Sequence, residues 1–363
     1  MQALDIAMLL QQIGHDSWVL CTDGSTLANE CAKKRINTQA VFTGRKMFHH
    51  LGKLVAFLRH VKPDIIHTHH SHDLWLLVPA MHMAGSRAKL FLTKHMASGV
   101  KKTDPLHKYL YNRVDAIFAI SNYIRQSVIN TCPVSEDRVC LLPNAIKLDQ
   151  YNHTLYDRNE IRAELNIKSD TMVIGMIARM TPGKGHEEFI HAARLIRNVY
   201  PLPVCFMIIG GASHGEDRYA ESITQLADRL FQENEILFTG FRKDIPRLLM
   251  AMDILAFPSH EESFGLVLLE AMAMNLPVVA SSGGGVSDIV VNKETGILVK
   301  PRDADDLATG LLQLMLNSQK RARFAASGRM RVEQYFSDQK FTNDLLAFYS
   351  GQVSIQDMST AAL

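Results

Sequence analysis

Apolar positions near the start of the chain recur with helical spacing. Ile6, Leu9, Leu10 and Ile13 lie three or four apart and Gly14 follows as a stop, so the pattern predicts a helix that ends there. SWVLCT, from Ser17, reads as a strand. Phe48, Leu51, Val55, Leu58 and Val61 form a second helical stripe; Pro63 punctuates it and DIIHTHH begins a strand. AKLFLTKH and AIFAIS read as further strands, and RVCLLPN closes the first half. PLHKYLYNRV and NYIRQSVI read as helices, the second opened by Ser121 in an N-cap position.

The alternation is cleaner after residue 170. TMVIGMIAR, VCFMIIGG, EILFTG, ILAFP and PVVAS read as strands. EEFIHAARLIRNV, DRYAESITQLADRLF, IPRLLMAM and FGLVLLEAMAM read as the helices between them, and helices close the chain from about Asp303. The strands are continuous apolar runs, the mark of parallel strands buried on both faces. Two successive β/α series predict two Rossmann-like, doubly wound domains facing across a cleft. The expected boundaries are 1–148 and 149–335, with a terminal helix over 336–350 crossing back to the first domain. The join falls near LLPNAIKLDQYNHTLYDR, rich in polar and turn residues. Ligands of such sheets sit beyond the carboxyl ends of the strands, so polar residues just after a strand are the candidates.

Composition adds little beyond a globular class: 47% apolar, 21% charged and a formal net charge of +2. The charge is unevenly placed, with 18 basic and 11 acidic residues in 1–150, so that half is +7 and the remainder −5. A basic N-terminal half suits an anionic lipid, a nucleic acid or an acidic glycan, or is a solvated surface. No basic stripe or nucleic-acid-binding motif appears. Five widely spaced cysteines without a C-x-x-C point away from a disulfide framework and toward a reducing compartment. MQALDIAMLL carries Asp5 and no basic leader, and no apolar run is long enough to span a bilayer. The expectation is a cytoplasmic protein, with peripheral association at the inner membrane as a separate expectation.

The chemistry concentrates in HEESFGLVLLEAMAMNLPVV, which begins at His260 and carries Glu262 and Glu270 with seven residues between them. A helix expected to start near Phe264 offers its free amides at Ser263, Phe264, Gly265 and Leu266 as an anion site. Glu270, an acceptor-only carboxylate, suits a sugar diol, and Glu262 suits hydroxyls of a second sugar. The spacing equally allows Glu262 merely to favour the helix dipole and Glu270 to pair with a buried arginine. In IARMTPGKGHEEF, Arg179 ends a strand and Lys184 sits in a Gly-flanked turn before a helix, two cations suited to a diphosphate. No Ser or Thr follows Lys184, so this is not a Walker A loop; alone, PGKG is equally an ordinary turn.

Together these elements resemble the retaining GT-B glycosyltransferases of the family four, or group 1, type. KPDIIHTHH, the AIS strand end at Ser121, LLPNAI, FTGF, FPSHEESFGLVLLEAMA, LPVVAS and TGILVKPRDADDLA follow the family's order over about residues 4–345. The resemblance implies that Arg179 and Lys184 hold the donor diphosphate and stabilise the leaving group. It implies that amides around Phe264, Gly265 and Leu266 bind the distal phosphate. Glu262 would contact the transferred sugar, Glu270 the ribose, and Phe241 and Arg242 the nucleobase. His95, after the strand FLTK, would stand near the reacting sugar and the acceptor; a surface histidine is the plain alternative. HTHHSHD, from His67, looks like a metal cluster, but neighbouring residues of an extended chain point opposite ways. The family carries histidines there without a metal, and His69 is the expected cleft residue.

The resemblance departs at the start. Family members begin with a strand and a glycine-rich turn ahead of the helix that here reads ALDIAMLLQQIGH, and both are missing. A truncated N-terminal domain is therefore expected, its central strand gone and that strand's neighbours without ladder partners. Either the chain belongs to a longer one, or its first domain is weakened or inactive. Ala145 also stands in LLPNAI where the family more often has glycine.

The expected function is transfer of a sugar, a hexose, from a nucleotide-diphosphate donor to an acceptor hydroxyl. The expected setting is surface polysaccharide or glycolipid synthesis, with no cofactor and no metal. The expected partners are the nucleotide sugar, a glycan or lipid-linked acceptor and an anionic membrane surface, and no nucleic acid. The alternatives are an inactive nucleotide-sugar-binding subunit that supports another transferase, or a sugar-nucleotide isomerase on the same fold.

Overall fold

The computed structural model describes residues 2–42, 50–232 and 235–352. Phe48, one position of the second predicted stripe, lies outside the described residues. The chain divides into two compact units, the first built from residues 2–120, 124–142 and 344–352, the second from 121–123 and 143–343.

Unit 1 draws on α1 (Gln2–Gln12), β1 (Trp18–Thr22), α2 (Thr26–Lys33), β2 (Asn37–Phe42), α3 (Leu51–Val61), β3 (Ile65–Thr68) and α4 (Leu74–Ala84). It continues with β4 (Lys89–Lys94), α5 (Pro105–Asn112), β5 (Ala116–Ala119), α6 (Asn122–Thr131) and β6 (Val139–Leu141). Its strands form two sheets: parallel β1–β2, and four parallel strands in the order β3-β4-β5-β6. β5 and β6 are buried at every position, as their unbroken apolar runs require.

Three of these elements went unread in the sequence. α4 carries Pro79 inside an almost wholly apolar helix, so it has no amphipathic stripe. α2 is short; Ser25 caps it by accepting from the Ala28 amide at 3.1 Å. β2 (NTQAVF) is half polar, as a strand at a sheet edge tolerates.

Unit 2 begins with α7 (Arg158–Glu164), β7 (Met172–Ile177), α8 (His186–Val199), β8 (Val204–Ile209), α9 (Asp217–Leu230) and β9 (Ile236–Gly240). It continues with α10 (Ile245–Ala251), β10 (Ile254–Phe257), α11 (Leu266–Ala273), β11 (Val278–Ser281), α12 (Val286–Ile289) and β12 (Gly296–Val299). Helices α13 (Ala304–Met315), α14 (Ser318–Tyr335) and α15 (Asp338–Ser350) complete the chain. All six strands are parallel, in the order β12-β11-β10-β7-β8-β9. This is the doubly wound order, and its topological switch point lies between β7 and β10. Phe189, Ile190 and Ile196 of α8 and Leu307, Leu311 and Leu314 of α13 pack on Ile174, Phe206, Ile254 and Val279 of the sheet.

Candidate active site

The switch point is where the two expected motifs meet. The PGKG turn follows β7 and HEES follows β10, and β7 and β10 are adjacent strands. Their loops are tied backbone to backbone: the His260 amide donates to the Gly183 carbonyl at 2.9 Å. Gly185 has φ +82°, and a Cβ there would lie 2.2 Å from the Pro258 carbonyl oxygen, so only glycine lets the two loops approach this closely. The result is a half-buried ion pair, Lys184 Nζ to Glu262 Oε2 at 2.6 Å.

A third loop fixes Glu262 from the other side. The Gly285 amide donates to the Glu262 carbonyl at 2.7 Å, and a Cβ on Gly284 would meet that same oxygen at 2.1 Å. A Cβ on Gly283 would strike the His260 carbonyl oxygen at 2.1 Å. The triple glycine after β11 is thus a cradle for the HEES backbone. Sequence reasoning passed over it, although three consecutive glycines after a strand were the available signal. His260 itself is held by Glu188 at 2.8 Å and receives Arg302 Nε at 3.2 Å.

Helix α11 starts at Leu266 rather than near Phe264, because Gly265 at its N-cap has φ +105°, outside helical space. Leu266 is exposed and Phe264 is buried. Amides of the first turn remain the donors that an anion would meet.

Glu270 meets a tyrosine rather than a buried arginine. Its Oε1 accepts the Tyr151 hydroxyl at 2.8 Å. Burial pushes the Glu270 carboxyl up, and the hydrogen bond from Tyr151 offsets this in part. Tyr151 is a residue the sequence did not single out; it lies 119 positions away.

Arg179 is exposed beyond β7, with Nη1 3.4 Å from the Ser213 hydroxyl. Phe241, beyond β9, is 74% exposed, an unusual position for a large ring. A Cβ on Gly211 would lie 3.6 Å from the Phe241 Cβ, so the ends of β8 and β9 approach each other here. Arg242 is paired with Asp244 at 2.6 Å, which holds the guanidinium above its usual range. His186, the first residue of α8, is fully buried without a hydrogen-bond partner on either ring nitrogen. Burial pushes it down to about 4, so a neutral ring underlies the Lys184 turn.

In unit 1, three imidazoles stack at the carboxyl ends of β3 and β4. His67 and His69 lie 4.6 Å apart, and His69 and His95 5.5 Å apart, nearly parallel. His69 Nδ1 and His95 Nε2 share a hydrogen bond at 3.2 Å. His67 is fixed by Thr93 at 2.7 Å and by Tyr349 of α15 at 2.6 Å. Burial is the chief cause holding all three uncharged: His67 well below its usual range, His69 at about 3 and His95 at about 4. Among the described residues no group of three or more His, Cys, Asp or Glu is placed to hold a metal. No helix among them is long and apolar enough to cross a membrane.

A crystal structure of a glycosyltransferase from Rickettsia africae has the same fold: TM-score 0.86 at 22% identity, covering 96% of this chain and 93% of the other. HepE of Anabaena, solved with UDP and glucose, gives 0.79 at 23% identity, over 96% and 95% of the two chains. The architecture is therefore that of the GT-B glycosyltransferases, mixed α/β with parallel sheets. Residues 157–331 match the glycosyl transferases group 1 family, and residues 1–150 match Glycosyltransferase Family 4. The chain belongs to the glycosyltransferases of this group 1, family 4 type.

Among relatives, a D-inositol 3-phosphate glycosyltransferase of Stackebrandtia nassauensis is 26% identical over 315 residues, 82% of this chain and 70% of its own length. CapM, a capsular polysaccharide biosynthesis glycosyltransferase of Staphylococcus aureus, is 27% identical over 241 residues, 64% of this chain and 61% of its own length. The chain thus spans less than two thirds of CapM.

Proposed function

We propose that this protein is a retaining, metal-independent hexosyltransferase. It moves a sugar from a nucleotide-diphosphate donor to an acceptor hydroxyl in surface polysaccharide or glycolipid synthesis. The observation that carries this reading is the Lys184–Glu262 pair at the switch point, 2.6 Å apart and half-buried. A lysine held there by a carboxylate alone is ready to exchange that partner for a phosphate. Arg179 joins it as the second cation on the diphosphate, and both stabilise charge on the leaving group. The Ser263–Leu266 segment supplies amides to the distal phosphate. Glu262, released from Lys184, accepts hydrogen bonds from the transferred sugar. Glu270, oriented by Tyr151, takes the ribose diol, and the exposed ring of Phe241, with Arg242, borders the base.

His95 and His69 are assigned to the acceptor side. A neutral imidazole accepts a hydrogen bond from a sugar hydroxyl, which a protonated one cannot. The glycan or lipid-linked acceptor and an inner-membrane surface are the partners of this reading, supported by the +7 charge of residues 1–150. The UDP in HepE and the capsular role of CapM support a nucleotide-sugar donor and a surface-glycan product.

The test is release of nucleoside diphosphate from a panel of nucleotide sugars, with and without bacterial glycan acceptors, in the presence of EDTA. Release that rises with acceptor, survives EDTA and vanishes in Glu262→Ala is expected. Full turnover in Glu262→Ala removes the assigned site. Interconversion of free nucleotide sugars without acceptor makes the protein an isomerase, and nucleotide binding without turnover makes it a supporting subunit.

A further inference from the structure

The ring of His260 joins two segments of unit 2 that lie far from it in sequence. Its Nε2 donates to Glu188 Oε1, in the first turn of α8, at 2.8 Å. Its Nδ1 accepts from Arg302 Nε, between β12 and α13, at 3.2 Å. A guanidinium only donates, so Nδ1 is the acceptor and the ring proton sits on Nε2, facing Glu188. One tautomer therefore serves both partners.

The fold gives up stability at both ends of this chain of contacts. Glu188 is largely buried, and its second oxygen, Oε2, has no partner among the described residues. Arg302 has φ +60°, the left-handed region that disfavours any residue with a Cβ. Glycine would relieve the backbone there but would remove the guanidinium that reaches His260. Strain of this kind persists where it holds a geometry in place.

The geometry held is that of the donor site. His260 lies two residues before Glu262, and its amide binds Gly183, the neighbour of Lys184. Backbone contacts already join the loops after β7, β10 and β11. The His260 ring adds a second tie to the β7 side through Glu188 and brings in the loop after β12 through Arg302. We propose that Glu188, His260 and Arg302 form a positioning triad that sets the Lys184 and Glu262 loops for sugar transfer. The triad rests on the donor-site reading above, and it acts without touching the substrate.

The test compares Arg302→Gly, His260→Ala and His260→Gln in the full chain. Glutamine keeps one donor for Glu188 and one acceptor for Arg302, whereas alanine keeps neither. Melting temperature, kcat, KM for the donor and amide exchange at His260 and Gly285 are measured, with β8 amides as reference. Arg302→Gly should melt at or above the native temperature, because glycine relieves the left-handed backbone. It should still lose about tenfold in kcat, with KM for the donor within about threefold, since displaced groups bind but no longer align. Its His260 and Gly285 amides should exchange about tenfold faster, with β8 unchanged. His260→Ala should lose at least as much activity, and His260→Gln should recover most of it. If His260→Ala fails to fold, Arg302→Gly, at an exposed position, carries the test. A lower melting temperature in Arg302→Gly makes Arg302 an ordinary stabilising contact and overturns the proposal. So does native-level exchange in Arg302→Gly, or a glutamine variant no better than alanine. Faster loop exchange in Arg302→Gly, in a protein whose native chain transfers no sugar, supports the triad's hold on the loops and counts against the transferase reading alone.

Discussion

Both units alternate strands and helices, yet only one of them keeps its sheet whole. In unit 2, six parallel strands run without interruption, and the adjacency of β7 and β10 places Lys184 against Glu262. In unit 1 the strands form a pair and a quartet, and the outermost of them, β2, is half polar. Local patterning makes each strand, whereas ladder partners and crossover helices decide whether the strands share one sheet. Unit 2 accordingly carries a site assembled by topology. Unit 1 carries its histidines on the carboxyl ends of the quartet, where Thr93 and Tyr349 secure His67 within that half.

The sharpest way to separate the two units is to damage one and watch the other. Lys184→Ala should lower turnover about 10²- to 10³-fold and weaken nucleotide binding. His95→Ala should lower transfer while leaving nucleotide affinity within about twofold, since it removes only an acceptor contact. Calorimetric titration with the nucleotide checks both; loss of nucleotide affinity in His95→Ala breaks the division of labour.

Stability offers the next contrast. Both tryptophans, Trp18 and Trp75, lie in unit 1, so tryptophan fluorescence reports that unit alone. Its urea midpoint should fall about 1 M or more below that of the far-ultraviolet circular dichroism signal, because a divided sheet lacks ladder bonds. Coincident transitions show that the divided sheet costs unit 1 nothing.

Acid should widen the contrast. His69 and His95 are held at about 3 and about 4, below the ordinary 6.5, so the unfolded chain binds their protons first. Their contribution is fully present above about pH 6.5 and is lost as pH falls toward their folded values. Between pH 7 and 5, His69 alone should cost unit 1 about 2 kcal/mol. His69→Gln should flatten this slope in fluorescence-monitored melts; an unchanged slope places the loss elsewhere.

The smallest effect belongs to unit 2. Burial raises the Glu270 carboxyl, so its charged form opposes folding at neutral pH. Glu270→Gln should stabilise the protein at pH 7, with the gain fading as pH falls from the raised folded value of the carboxyl toward its ordinary one. Its nucleotide affinity should drop. A less stable Gln variant at pH 7 means that the carboxylate is needed by the fold.

Much of this was legible in the chain. The runs VIGMI, CFMII, ILAF and VVAS read directly as parallel strands, and the glycines of PGKG marked a turn before a helix. β12 was missed because GILV is brief and follows a turn, and α4 because Pro79 and an all-round apolar surface remove the periodic signal. The site was half legible: its two motifs stood out, but their contact did not. Lys184 and Glu262 are 78 residues apart, and only the strand order brings them together. Tyr151 gave no signal, because a tyrosine in a polar connecting stretch looks like any other. The start of α11 was misplaced because Phe264 continues the apolar run, while the φ of Gly265 interrupts the helix there.

The most direct test is a thermal melt of the full chain with UDP, GDP, ADP and CMP, repeated in Arg179→Ala. One nucleoside diphosphate at about 100 times its dissociation constant should stabilise the fold by about 2.7 kcal/mol, and the variant should lose this gain. A cooperative melt that no nucleotide shifts, or a shift that Arg179→Ala leaves intact, would contradict a donor site at the β7–β10 switch point.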